Sequence, residues 1–314
     1  MTVRAFLFPG QGSQKVGMGK ELADAYAPAR EVFEAVDEAL GEALSRLMWE
    51  GPEEQLTLTQ NAQPALMAVS MAVMEVLRRE GNLDISKQVD FVAGHSLGEY
   101  SALCSAGMFS LADTAKLLRL RGEAMQRAVP SGKGSMAAVL GLEVEQVVEV
   151  AEAAAEGEVC VVANDNAPGQ IVVSGHADAV SRAMSLAKER GAKRSIPLSV
   201  SAPFHCPLMS PAADEMRNAL SGVEVSAPML PVIANVTASP VNSQTEILDL
   251  LVEQIVSMVR WRESMDYLVS AGVKDVAEVG AGSVLTGLAR RCSSDFTTGT
   301  LGTPDEIEGF LKGL

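Results

Sequence analysis

The residue best placed for covalent chemistry is Ser96, at the centre of Gly94-His95-Ser96-Leu97-Gly98. A short apolar strand is predicted at 89–93, and a helix is predicted to begin directly after the motif. A serine on such a sharp turn projects its hydroxyl clear of the sheet, beside the free N–H groups and positive dipole end of the helix. We therefore predict that Ser96 is a nucleophile. The alternative is a glycine-rich turn in which Ser96 caps the helix.

A serine nucleophile needs a base, and the chain has 3 histidines. His95 is a poor candidate because neighbouring side chains on a tight turn point apart. His176 lies at a predicted helix start, where a solvated capping residue is expected. His205 lies in a proline-stiffened segment where the chain re-enters the large domain. Elimination favours His205 as the base; the alternative is that it is a buried structural histidine whose hydrogen bonds are satisfied. No acidic residue is close to His205 in the sequence; a distant acid, a backbone carbonyl or an amide would orient its ring.

Arg121 is the most informative charged residue. In the helix predicted at 111–128 the other charges mark one polar face, whereas Arg121 falls on the apolar stripe with Leu118 and Met125. A buried guanidinium must be paired. Periodicity leaves two alternatives open: a structural acid such as Glu99, or a ligand carboxylate bound in bidentate fashion.

The surrounding elements predict an α/β fold: an α/β-hydrolase-like core with a short parallel sheet, and an inserted ferredoxin-like small domain of order β-α-β-β-α-β. The large domain is assigned to 1–129 and 201–314, and the small domain to 130–200. The predicted strands of the large domain are 3–8, 89–93, 230–235 and 275–279, and its helices are 20–50 with a break near Gly41, 64–80 with Pro64 first, 97–106, 111–128, 244–258 and 284–292. Those of the small domain are strands 135–140, 159–163, 171–174 and 193–197, helices 144–155 and 177–190, and a polar loop at 164–170.

Composition narrows the function classes. The 314 residues carry 40 acidic and 25 basic side chains, a formal net charge of −15. This acidity argues against binding to nucleic acid or a membrane surface, but not against a small anionic substrate. The 4 cysteines are widely spaced, so we expect reduced thiols in the cytoplasm rather than disulfides or a zinc site. The apolar stretches are too short for a signal peptide or a membrane span.

Four motifs spread along the chain are jointly specific: Gly94-His95-Ser96-Leu97-Gly98-Glu99, Phe8-Pro9-Gly10-Gln11-Gly12, Gln63-Pro64 and Pro203-Phe204-His205. Together they resemble the malonyl-CoA:acyl-carrier-protein transacylase family, the freestanding bacterial acyltransferases of fatty-acid synthesis. The resemblance covers essentially the whole chain. It is broken at two loop positions, Met258 and Ala281, where the family often has proline.

The resemblance implies roles for individual residues. Ser96 would carry the malonyl group as an ester with His205 as its base, and Arg121 would bind the free malonyl carboxylate. Asn164 and Asn166 would face the cleft from the small-domain loop, and Phe204 matches the malonyl-selective pattern. The remaining implied roles are an oxyanion hole from the N–H groups of Gln11 and Leu97, orientation of His205 by the main-chain carbonyl of Gln254, and contacts with substrate or CoA from Gln63, His95, Asn164, Asn166 and Phe204.

The activity implied is a ping-pong transfer of malonyl from malonyl-CoA to the phosphopantetheine thiol of acyl carrier protein, supplying fatty-acid synthesis without a metal or cofactor. We expect a cytoplasmic monomer whose partners are malonyl-CoA and acyl carrier protein, with no nucleic acid and no membrane. The alternatives are a trans-acting polyketide acyltransferase, a serine (thio)esterase or hydrolase with the same Ser-His pair, and a non-catalytic carrier-protein-binding module.

Two basic segments interrupt the acidic background, at 114–133 and 182–194. Because the expected substrate and carrier protein are anionic, the overall charge repels them and docking requires local positive charge. We predict that these segments form the docking face, and that reversal of Arg119 or Arg190 to glutamate weakens use of the carrier protein.

Overall fold

The computed structural model describes residues 3–313, which form two β-sheets with helices packed around them. The strands are β1 (Arg4–Phe8), β2 (Phe91–Gly94), β3 (Gly134–Leu140), β4 (Cys160–Ala167), β5 (Gln170–His176), β6 (Arg194–Pro197), β7 (Val232–Ile233), β8 (Pro240–Val241), β9 (Asp275–Val279) and β10 (Thr297–Leu301).

The helices lie between these strands, with a 3-10 turn at Pro207–Met209. They are α1 (Lys20–Ala25), α2 (Ala27–Leu40), α3 (Leu44–Glu50), α4 (Glu53–Thr57), α5 (Thr59–Arg79), α6 (Ile85–Gln88), α7 (Leu97–Ser105), α8 (Leu111–Ala128), α9 (Val144–Ala155), α10 (Ala177–Glu189), α11 (Ser210–Leu220), α12 (Gln244–Gln254), α13 (Trp261–Ser270), α14 (Val284–Cys292) and α15 (Pro304–Leu311). None of these helices combines the length and apolar content needed to cross a bilayer.

The larger sheet has the strand order β10-β9-β1-β2-β7-β8 and is parallel except for the β7–β8 pair. In β1, Ala5, Phe6, Leu7 and Phe8 are all fully buried, because helices cover both faces of the sheet. The carboxyl ends of the neighbouring strands β1 and β2 lie side by side, as expected for parallel pairing. The turns that follow these two strands are therefore brought together at one edge of the sheet.

The smaller sheet is antiparallel with the order β4-β5-β3-β6, and α9 and α10 pack against it over a separate apolar core. The element order is the predicted β-α-β-β-α-β of a ferredoxin-like fold. The α/β class, with one parallel and one small antiparallel sheet, is confirmed. The small sheet and its helices span residues 134–197, inside the segment expected for the small domain.

The predicted loop at 164–170 is wrong for most of its length, because β4 continues to Ala167. The outer edge of β4 is paired with a distant segment: Val259 N–H donates to the Ala163 carbonyl at 2.9 Å, and Asp165 N–H donates to the Val259 carbonyl at 3.0 Å. A partner almost a hundred residues away leaves no signal in the local sequence, and the local polar residues, which favour turns, predict a loop.

The prediction that Pro64 begins its helix is also wrong. Helix α5 begins at Thr59, and Ala62 N–H already donates to the Leu58 carbonyl at 2.9 Å before the proline is reached. Pro64 has no N–H, so it removes the bond that the Gln60 carbonyl would receive, yet the helix continues through it.

Other differences between the predicted and observed elements concern the bounds of helices and strands. The predicted helix at 20–50 is divided at Tyr26 as well as at Gly41, because Pro28, in the first turn of the next helix, has no N–H to extend the previous one. The strand expected at 230–235 shortens to β7, and the helix expected at 244–258 ends at Gln254. The elements α4, α6, α11, α13, α15, β8 and β10 are absent from the sequence-based prediction.

Candidate active site

Ser96 lies on the turn between β2 and α7 in a strained backbone conformation, with φ 53° and ψ −108°. Two glycines permit this turn. A Cβ on Gly94 would lie 1.9 Å from the Gly98 carbonyl carbon, and a Cβ on Gly98 would lie 2.2 Å from the Phe8 carbonyl oxygen. These close contacts hold the turn against the end of β1, so the Ser96 hydroxyl projects from a rigid backbone.

The Ser96 hydroxyl oxygen lies 2.8 Å from Nε2 of His205, whose Nδ1 lies 2.8 Å from the main-chain oxygen of Gln254. A carbonyl oxygen only accepts, so Nδ1 carries the proton and Nε2 can accept the proton of Ser96. Burial, together with the nearby charge of Arg121, lowers the pKa of His205 to about 3, which keeps the ring neutral at pH 7. The arrangement can deprotonate a hydroxyl. A main-chain carbonyl takes the place of the acidic residue of a Ser-His-acid triad.

The Arg121 side chain is 1% exposed and donates only to neutral oxygens. Its NH1 donates to Gln63 Oε1 at 2.8 Å, and its NH2 donates to Gln254 Oε1 at 2.8 Å and to the Ser96 hydroxyl at 3.1 Å. Among residues 3–313 no carboxylate pairs with this guanidinium, and its Nε has no acceptor. A direct bond to Glu99 is not formed. A buried cation without a counter-ion is costly, and this geometry favours a ligand carboxylate.

Two further residues hold these groups in place: Asn235, which the sequence analysis did not single out, and Glu99, which it named only as a possible partner of Arg121. Asn235 ties the nucleophile turn together: its Oδ1 accepts from the Ser96 N–H at 2.7 Å, and its Nδ2 donates to the Gly94 carbonyl at 2.7 Å. Oε2 of Glu99 accepts from Asn235 N–H at 3.0 Å and from Gln254 Nε2 at 2.8 Å. Asn235 could have been found, because it follows a strand whose carboxyl end adjoins that of β2.

The reactive groups open into a cavity of about 280 Å³ that both domains line. Leu97, the first residue of α7, lies on its wall, and an N–H at this helical position has no acceptor within the helix. Gln11 lines the cavity from the turn after β1. Both positions suit an oxyanion hole, which stays a prediction. Phe204 lies on the wall as expected, beside the further apolar residues Met125, Met136, Leu198 and Val200.

The two small-domain asparagines differ in position. Asn164 is 6% exposed and lines the cavity, whereas Asn166 Oδ1 lies 2.8 Å from Nε2 of His95. Both lie on β4 rather than on a loop. The Asn166 amide contacts the cavity residue His95, and a direct contact of Asn166 with substrate stays a prediction. The His95 ring also packs against Trp261, with centroids 5.4 Å apart, and burial lowers its pKa. His95 is therefore a neutral wall residue.

The loop departures at Met258 and Ala281 leave the site geometry intact. Met258 packs against the core of the small domain, and the Gln254 carbonyl still reaches His205. Ala281 is buried between two glycines at positive φ, Gly280 and Gly282. Within residues 3–313 no cluster of His, Cys, Asp or Glu could hold a metal ion, and the four cysteines are unpaired.

Arg119 is poorly placed to contact a docking partner, although it was expected on the docking face. Its side chain is 16% exposed, forms an ion pair with Glu42 and donates to Asn61. Helical periodicity indicates a polar face but not the α2–α3 turn that covers it. Arg190 is exposed and paired with Glu149 at 3.0 Å. In the described part of the chain, the exposed basic side chains of the two segments without an ion pair include Lys116, Lys133, Lys188 and Lys193.

Comparisons with known proteins agree over the whole chain. A family model described as acyl transferase domain matches residues 5–299. A malonyl CoA-acyl carrier protein transacylase of Bacillus subtilis (strain 168) is 46% identical over 315 residues, which is 100% of this chain and 98% of the relative. The protein of the same name in Escherichia coli (strain K12) is 43% identical over 312 residues, covering 99% and 100%.

Solved structures of related proteins share the fold of this chain. An acyl-carrier-protein-S-malonyltransferase from Bartonella henselae is 55% identical, with a TM-score of 0.97 and coverage of 99% of each chain. A malonyl-transacylase solved in complex with its type II PKS acyl-carrier protein is 39% identical, with a TM-score of 0.96 and coverage of 100% of each chain. The likeness therefore includes both sheets.

Proposed function

This chain belongs to the acyl transferase family, among the malonyl CoA-acyl carrier protein transacylases, and on that premise we propose that it transfers malonyl from malonyl-CoA to the phosphopantetheine thiol of acyl carrier protein. Arg121 carries the proposal. It is a buried cation 3.1 Å from the Ser96 hydroxyl, held by neutral oxygens. A substrate with both a thioester and a carboxylate fits this pair of groups.

In the first half-reaction, the Ser96 oxygen attacks the thioester carbonyl carbon while His205 Nε2 takes the hydroxyl proton. The resulting oxyanion accepts hydrogen bonds from the N–H groups of Leu97 and Gln11. The intermediate collapses by breaking the C–S bond, and the His205 proton passes to the departing CoA thiolate. The product is malonyl-Ser96 with His205 again neutral.

In the second half-reaction the phosphopantetheine thiol takes the place of CoA. His205 removes the thiol proton, the sulfur attacks the ester carbonyl, and the C–O bond to Ser96 breaks. The proton returns to the Ser96 oxygen, which restores the starting state. Because CoA leaves before the carrier thiol enters and the malonyl group waits on Ser96 between the two steps, the reaction is ping-pong.

Arg121 selects the acyl group. A malonyl carboxylate gives the guanidinium a charge-assisted, bidentate partner, whereas the methyl of an acetyl group leaves the buried cation unpaired. Gln63 and Gln254 orient the guanidinium toward the nucleophile without neutralising it.

Acyl carrier protein is the proposed partner, and supply of malonyl units to fatty-acid synthesis is the proposed role, in the cytoplasm. A polyketide carrier is a second candidate because a 39% identical relative is solved with one. The monomeric state, the absence of a cofactor and the division into domains stay predictions.

Mass spectrometry of the intact protein after exposure to malonyl-, methylmalonyl- and acetyl-CoA tests the proposal. We expect a malonyl adduct on the wild type, none on Ser96→Ala, and its discharge when carrier protein is added. A strong preference for acetyl-CoA would contradict the role of Arg121. Release of free malonate without carrier protein would favour the hydrolase alternative.

A further inference from the structure

The side-chain amide of Gln254 joins both halves of the site. It is fully buried; its Oε1 accepts from Arg121 NH2, and its Nε2 donates to Glu99 Oε2 at 2.8 Å and to the Ser96 carbonyl at 3.0 Å. The main-chain carbonyl of the same residue accepts from Nδ1 of His205. One residue therefore orients the base through its backbone and the guanidinium through its side chain.

An amide can face either way, and its neighbours decide which atom points where. A guanidinium only donates, and Oε2 of Glu99 accepts from two N–H donors, so the observed orientation satisfies Arg121 and Glu99 together. The reversed amide would set its NH2 against Arg121 and its oxygen against the oxygens of Glu99 and Ser96. In a buried site each of these contacts is repulsive and leaves polar groups unpaired.

Glu99 is fixed independently of the amide. It is 2% exposed on the first turn of α7, and its Oε2 also accepts the Asn235 N–H at 3.0 Å. The Gln254 amide lies between this carboxyl and Arg121. Direct contact would neutralise the guanidinium inside the protein, whereas the interposed amide gives it an oriented but uncharged partner.

We propose that Glu99 is a positioning residue that sets the orientation of the Gln254 amide and so keeps Arg121 aimed at, and available to, the substrate carboxylate. This inference rests on the proposed function, because it deepens the carboxylate-binding role of Arg121. Glu99 touches no reacting atom and acts through Gln254.

The first test compares kcat/KM for acylation of Ser96 by malonyl-CoA and by acetyl-CoA in Glu99→Ala and Glu99→Gln. We expect Glu99→Ala to lower the malonyl-to-acetyl ratio about tenfold or more. Glu99→Gln recovers most of the ratio, because the glutamine oxygen can accept both hydrogen bonds that Glu99 Oε2 accepts. An equal fall of both rates in Glu99→Ala, with the ratio intact, would overturn the proposal.

Glu278 provides the matched control. It is fully buried, and its carboxyl accepts the N–H groups of Leu285 at 3.1 Å and Thr286 at 2.7 Å, at the start of α14. Glu278→Ala removes an equally buried carboxyl and is expected to leave the ratio unchanged. If it lowers the ratio as far as Glu99→Ala does, the effect of Glu99 is general destabilisation and the proposal fails.

A charge-conserving exchange, Glu99→Gln with Gln254→Glu, tests the same idea if Glu99→Ala does not fold. It moves the carboxyl into contact with Arg121, so we expect the malonyl preference to fall by at least tenfold. An unchanged preference would overturn the inference. If malonyl-CoA does not acylate Ser96 of the wild-type chain, the proposed function itself is wrong. If the wild type prefers malonyl-CoA and Glu99→Ala or the double exchange keeps that preference, only the inference is wrong.

Discussion

The half of the site that carries Ser96 and His205 is held mainly by backbone, whereas the half that carries Arg121 is held by side chains. Ser96 sits on a turn packed through two glycines, and His205 is oriented by a main-chain carbonyl. Arg121 is oriented by the side chains of Gln63 and Gln254. Reactivity should therefore depend on the reacting residues themselves, and selectivity should depend on neighbours that never meet the substrate's reacting carbon.

The largest effect is expected from the backbone-held half. His205→Ala removes the base, so acylation by malonyl-CoA and by acetyl-CoA should fall about 10³-fold, with their ratio preserved. Stopped-flow or intact-mass measurement of acylation rates checks this. His176→Ala, which removes a histidine that binds the Val159 N–H away from the cavity, is the control and should keep both rates. A loss of acylation confined to malonyl-CoA would contradict the division of the site into a half that sets reactivity and a half that sets selectivity.

The side-chain-held half should behave in the opposite way. Arg121→Met keeps an unbranched apolar stem but removes the guanidinium and its charge, and malonyl kcat/KM should fall about 10²-fold while acetyl kcat/KM changes little. Arg127→Met, on the same helix but exposed and paired with Glu215, serves as the control. Equal losses for both acyl groups would show that Arg121 supports the nucleophile instead.

The pH dependence of the nucleophile links the two halves. The pKa of His205 is lowered to about 3, so the free enzyme should keep its base neutral and react with a sulfonyl fluoride at the same rate from pH 7.5 to 5.5. An unshifted histidine would lose about tenfold at pH 5.5. Removing the nearby charge in Arg121→Met should raise the His205 pKa and move the acid limb upward.

Glu99 is the control in that experiment, because burial raises its pKa to about 7 and it titrates in the same range. Glu99→Gln removes this titration and should leave the profile flat. A tenfold loss in both proteins would show that His205 titrates at an ordinary pKa.

The smallest effect is expected on the surface. Arg190→Glu should slow transfer to carrier protein by about two- to fivefold at low salt, and the difference should vanish at high salt. Lys87→Glu, on α6 of the large domain, should have no such effect; equal slowing would show that total charge matters rather than a docking face. Arg119→Glu should instead destabilise the fold, since Arg119 is covered by Glu42.

Local sequence was enough to find the backbone-held half. The nucleophile turn follows from a motif with a strand on one side and a helix on the other, and three histidines made elimination of the base short. Arg121 was marked by its place on an apolar stripe, although periodicity could not choose between its partners.

The side-chain network could not be predicted in the same way. Glu99, Asn235 and Gln254 come from α7, the turn after β7 and the end of α12, and only tertiary packing brings them together. The covering of Arg119 and the extension of β4 have the same cause: in each case the deciding contact, Glu42 or Val259, comes from a distant part of the chain.

The pairing of β4 with Val259 also bears on the construction of chimeras. Next to this pairing, the buried Asp165 forms an ion pair with Arg262 at 2.8 Å. The small domain is thus tied to the body of the protein by its two chain crossings and by the segment that follows Gln254. A graft cut only at the crossings would break the strand pairing and leave Asp165 without its cation. We therefore expect a graft to keep its structure only when the predicted small domain, residues 130–200, is moved together with residues 259–262.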